Sequence, residues 1–107
     1  MLCERCRQEI EHANLLDRFP EIDRDHCTVA GQYLPARLWE LFCYLLARGM
    51  AAADGEIKDA IGKELSSQSI REMAYELNLV LKPTRFRVAR PRPQYRQMVI
   101  EQPQAIA

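Results

Sequence analysis

Leu34, Leu38, Leu41, Phe42, Leu45 and Leu46 recur at spacings of three and four, the period of one face of a helix. The pattern predicts a helix opening at Pro35, since proline at the first helical position has no amide to leave unpaired. Trp39 and Cys43 border the stripe, Arg48 falls in the last turn, and Gly49 supplies the C-terminal cap. A short second helix is predicted after Asp54 as N-cap, with Ile57, Ala60 and Ile61 on its apolar face and Gly62 at its end. A third helix carries Ile70, Met73, Ala74, Leu77, Val80 and Leu81 on one side. Ser69 with Glu72 three residues on fits a capping box, Ser67 is the alternative cap, and Lys82-Pro83 closes the helix.

The flanks are less periodic. Residues 3–15 read as a short helix with a thin apolar face, stopped by Phe19-Pro20 because the residue before proline avoids helical geometry. Residues 20–33 read as irregular or weakly extended, with Cys27-Thr28-Val29-Ala30 as a strand and Gly31 as a turn. After the third helix, Arg85 to Ala89 alternates polar with apolar, as a strand does. Pro91 and Pro93 make a stiff turn, and Tyr95 to Ile100 returns with Arg96, Met98 and Ile100 on one side and Gln97 and Val99 on the other. Residues 101–107 read as a frayed tail.

The expected fold is mainly α with a small β-hairpin, an α+β winged helix-turn-helix of three helices plus wing. Three short helices cannot cover all their apolar stripes alone, and a hairpin laid across the open end covers the rest. The predicted layout is an N-terminal extension over 1–27, the folded domain over 28–100, and a flexible tail over 101–107. In this arrangement the helix over 67–82 reaches a major groove while the ribbon over 85–96 grips the neighbouring backbone or minor groove.

Composition bounds this picture without sharpening it. The chain has 107 residues, 48% apolar and 28% charged, enough for one domain with a core. No apolar run approaches the ~18 residues that span a bilayer, and Met1 to Arg5 lacks the layout of a secretory signal. A soluble, cytoplasmic protein with no membrane partner is expected. Fifteen basic and fifteen acidic residues cancel, so whole-molecule attraction to a polyanion fails. The distribution is uneven, however. Residues 82–96 hold six bases and no acid, with Phe86 and Tyr95 interleaved, whereas residues 1–25 hold seven acids and four bases. Salt screens distant acids beyond ~8–10 Å, so a local basic stretch still attracts phosphate.

Residues 28–100 resemble the winged-helix effector domains of bacterial response regulators of the OmpR/PhoB type. Leu34-Pro35 and the leucine pairs that follow are similar to that family's opening helix, and Gly55 to Ile61 stands where it has its short second helix. Ile70, Ala74, Leu77 and Leu81 match the apolar positions of its recognition helix. Arg87-Val88-Ala89-Arg90 and Tyr95-Arg96 resemble its wing. Pro91 and Pro93 replace the wing glycines, and Glu72, Glu76 and Asn78 occupy turns where the family places arginines. The chain looks like the small stand-alone bacterial or phage proteins of this fold that carry an N-terminal Cys-x-x-Cys. The resemblance implies double-stranded DNA as partner and a role in transcription regulation.

The helix candidates for DNA contact are Ser67, Gln68, Arg71, Tyr75, Asn78 and Lys82; Gln and Asn pair with adenine edges and Arg with guanine. The ribbon candidates are Arg85, Arg87, Arg90, Arg92 and Arg96, whose guanidinium forks bind phosphate bidentately. For each set the plainer alternative is a solvated surface. Cys3 and Cys6, with two residues between them, can clamp one zinc ion, with His26, Cys27 and His12 as further ligands or with a second chain donating its own pair. The plainer alternative is a pair of reduced thiols, and Cys43 is expected in the core. A homodimer is expected, because one such domain reads few base pairs. The two histidines have no nucleophile partner and the four glycines are isolated, so no catalysis is expected. The rival class is a winged-helix adaptor or inhibitor that engages the transcription machinery, favoured by zero net charge and by Glu72 and Glu76.

Overall fold

A computed structural model describes residues 18–101. These residues form an α+β fold of three helices and two small antiparallel three-stranded sheets, and no described helix is long and apolar enough to cross a membrane. The first sheet is β1 (Ile22–Asp23), β2 (Thr28–Val29) and β3 (Gln32–Tyr33) in that order. Helix α1 (Ala36–Arg48), strand β4 (Ala52–Ala53), helix α2 (Asp54–Ile61) and helix α3 (Ser67–Leu81) follow. Strands β5 (Phe86–Ala89) and β6 (Tyr95–Ile100) close the chain, and the second sheet has the order β4-β6-β5.

Both leucine-rich stripes face inward as their spacing requires. Leu38, Leu41, Phe42, Leu45 and Leu46 of α1 pack with Ile70, Ala74, Leu77 and Leu81 of α3, Ile57 of α2, and Phe86, Val88 and Met98 of the hairpin. Met73 and Val80 sit at the edge of this core. The ring of Phe86 meets Phe42 edge-on at 5.4 Å and Phe19 at the same distance, which ties the hairpin to α1 and to the chain entering β1. Gly49 takes the left-handed conformation at φ 70, and its N–H reaches Leu45 O at 3.2 Å, ending α1.

Several boundaries differ from the sequence expectation. Pro35 is the N-cap residue of α1, with extended ψ of 159°, one position before the helix proper. Asp54 is the first residue of α2 instead of its cap, and it is buried, because β4 immediately before it pairs with β6 and draws the helix start under the hairpin. The cap of α3 is Ser66, whose hydroxyl oxygen accepts from Ser69 N at 3.0 Å; neither Ser67 nor Ser69 caps the helix. Residues 20–33 hold three short strands instead of one. The β2–β3 connection is the two-residue turn Ala30-Gly31, with φ of 50° and 81°, the double left-handed turn that matches strand twist. On β6, Arg96 and Met98 face inward as the alternation requires, while Ile100 is exposed at the strand's end.

Strand β4 has a positional consequence. Ala52 pairs with Arg96 and Ala53 with Tyr95, and Asp54 N donates to Gln94 O at 2.9 Å. The returning strand of the hairpin is therefore fastened to the start of α2, while β5 is fastened to α3.

Candidate nucleic-acid interface

Asn78 sets the relation between α3 and the hairpin. Its Nδ2 donates to Val88 O at 3.0 Å, and its Oδ1 accepts from Val88 N at 2.8 Å. A side-chain amide offers one donor and one acceptor side by side, matching the free edge of β5. Asn78 is therefore turned inward, away from any groove. Arg71, Tyr75 and Lys82 lie seven and three residues before it and four after it, so they share the flank of α3 that borders the hairpin. All three are exposed. Glu72 and Glu76 are rotated off that flank, and Glu72 accepts from Gln68 Nε2 at 3.3 Å. Among the described residues no carboxylate lies within 4.0 Å of Arg71, Lys82, Arg90 or Arg92. Ser67, the first residue of the helix, is half-buried.

The five ribbon arginines divide by position. Arg96 is 3% exposed; its Nη1 donates to Tyr95 O at 2.8 Å and lies 4.0 Å from Oδ1 of Asp54, itself 4% exposed. Arg96 is an interior residue that faces Asp54 as a buried ion pair without a hydrogen bond, since Asp54 Oδ1 accepts none. Arg85 donates to Glu21 Oε1 at 2.8 Å and lies over the rings of Phe19 and Phe86, 5.3 and 5.5 Å from their centroids. It joins the hairpin to the first sheet. Arg87 Nε donates to Glu101 Oε1 at 2.8 Å with both side chains about half exposed, an ion pair that water and salt weaken strongly. Arg90 and Arg92 stand exposed in the connection between β5 and β6, on a backbone whose φ is restrained at Pro91 and Pro93. The Arg92 guanidinium lies 5.9 Å from the centre of the Tyr95 ring.

Of the predicted contacts, Gln68, Arg71, Tyr75 and Lys82 on α3 and Arg87, Arg90 and Arg92 on the hairpin are exposed. Sequence reasoning missed the acids that engage three of the five ribbon arginines: Glu21 at Arg85, Asp54 at Arg96 and Glu101 at Arg87. Glu21 is 64 residues from Arg85, and no local pattern announces that pair.

The proposed metal ligands are split. Cys3, Cys6 and His12 lie outside the described residues. His26 is exposed, its Nδ1 2.8 Å from Asp23 Oδ2, a hydrogen bond that holds the Asp23 carboxyl below its ordinary pKa. Cys27 is half-buried, with a left-handed backbone at φ 54. Among the described residues no group of three or more His, Cys, Asp or Glu side chains gathers where an ion would sit. Cys43 borders the core, where burial first and the nearby Cys27 second push its thiol pKa up to about 12.

Set against family models, curated proteins and solved structures, the chain matches none of them.

Proposed function

We propose that this chain is a winged helix-turn-helix protein that binds duplex DNA without catalysis and acts in transcription regulation. What supports the reading best is the order α1–β4–α2–α3–β5–β6, with Asn78 holding β5 along the flank of α3 that carries Arg71 and Lys82. In this proposal the first turns of α3 enter the major groove, which is ~12 Å wide and admits a helix. Arg71 offers its fork to a guanine edge and Gln68 its amide to an adenine, while Tyr75 and Lys82 meet the backbone. Arg90 and Arg92 grip phosphates beside the groove or the adjacent minor groove. Arg87 joins them by exchanging its exposed partner Glu101 for phosphate, at small cost.

The experiment is a titration of mixed-sequence duplex followed by fluorescence anisotropy at several salt concentrations. Each phosphate contact contributes ~0.9 to the slope of log K against log salt. Replacing Arg90 and Arg92 with alanine lowers that slope by about 2. A slope that does not change removes the hairpin from the interface. Tyr75 and Leu79, both exposed one turn apart on α3, favour a second reading in which this helix contacts protein, as an adaptor or inhibitor of the transcription machinery would.

A further inference from the structure

The outward face of α3 holds a second pattern, which shares Tyr75 and Lys82 with the proposed groove-binding set. Glu72, Tyr75, Leu79 and Lys82 follow one another at spacings of three, four and three, the period of a helix–helix seam. Tyr75 is 66% and Leu79 55% exposed; the other large exposed apolar residues, Tyr33, Met50 and Ile100, lie on strands or a loop. Lys82 keeps helical backbone angles, φ −49 and ψ −42, so the stripe runs through to it. The four residues are symmetric about Leu77: Tyr75 and Leu79 stand two positions either side, Glu72 and Lys82 five. A two-fold axis there sets two antiparallel copies of α3 together. Tyr75 then meets the partner's Leu79 at the centre, and Glu72 meets the partner's Lys82 at both ends.

We propose that α3 docks a second copy of this chain in this antiparallel register. An isologous interface must be complementary to itself, and this stripe is, in the order of its polar and apolar residues and in charge. A second copy supplies both halves of this match from the same four residues, with Glu72 and Lys82 as complementary ends. One helix from each copy falls short of the ~1,200 Å² of a standard interface, so the association is weak and concentration-dependent. Packed helix axes lie ~8–10 Å apart, whereas successive major grooves are ~34 Å apart. The paired form therefore withholds α3 from DNA, a clause that rests on the DNA reading proposed above; the pairing itself does not.

The test is sedimentation equilibrium of the full chain without DNA over a wide range of concentration. The wild type is expected to pass from monomer to dimer. Glu72→Lys and Lys82→Glu, both at exposed positions, each shift the midpoint at least tenfold towards monomer, and the double variant returns it. A chain that stays monomeric, single variants that dimerise as the wild type does, or a double variant no better than the singles overturns the proposal. Duplex DNA added to the dimer separates it if the DNA reading holds; a dimer indifferent to duplex defeats that link alone and leaves the pairing standing.

Discussion

Asn78 of α3 and Val88 of β5 exchange two hydrogen bonds, of 3.0 and 2.8 Å, between one side-chain amide and one peptide unit. This exchange takes the place of a strand partner on the free edge of the hairpin, since β5 pairs with β6 on its other side. Replacing Asn78 with alanine leaves a part-buried N–H and C=O without partners. The expected loss is about 1–3 kcal/mol in urea unfolding. Asn78→Asp keeps the acceptor, loses the donor, and falls between the two.

Ala30 occupies the left-handed region at φ 50 in the β2–β3 turn, a conformation that costs a residue with a Cβ about 1 kcal/mol. Asparagine followed by glycine is the favoured pair for this turn, and Gly31 already stands in second place. Ala30→Asn is expected to raise stability by about 0.5–1 kcal/mol, read as a higher denaturation midpoint with an unchanged m-value.

Asp54 and Arg96 are buried together, and neither has an alternative charge partner among the described residues. Removing one leaves the other desolvated and alone, so Asp54→Ala and Arg96→Met are each expected to cost about 3 kcal/mol. The double variant is expected to cost clearly less than the two together, because it buries no unpaired charge. A double-mutant cycle by chemical denaturation checks this.

Cys43 supplies a pH dependence with a definite sign. Its thiol ionises near pH 9.0 when unfolded and only at about 12 in the fold. Below the unfolded value the thiol is protonated in both states, and its stabilising contribution is complete. As pH rises towards the folded value the unfolded chain releases the proton first, and stability falls by up to ~1.4 kcal/mol per unit. Cys43→Ala is expected to flatten this alkaline decline relative to the wild type, measured by thermal unfolding across that range.

How much of this was legible in the sequence follows from which signals are local. The stripes of α1 and α3 and the alternation of β5 are local, and their buried residues are those the spacing picks out. Arg96 reads from the sequence as a phosphate contact because of its charge, although it shares a strand face with Met98; the structure buries it. Its partner Asp54 was not legible, because that contact depends on β4, two alanines with no strand signature that pair only once β6 is in place. Asn78 reads as a surface polar residue until β5 is laid against it. The three strands before α1 are two residues each, too short for any period to show. The exposure of Tyr75 and Leu79 was half legible: Leu79 falls outside the apolar stripe, but nothing local distinguishes a groove-reading face from a helix seam.

The central claim is that α3 and the β5–β6 connection make one DNA-facing surface. Amide chemical shifts recorded while mixed-sequence duplex is added to the isotope-labelled chain test it most directly. The account predicts perturbations that cluster at Gln68, Arg71 and Tyr75 and at Arg90 and Arg92, and that fade as salt is raised. Shifts confined to the first sheet, or a spectrum that duplex leaves untouched, would contradict it.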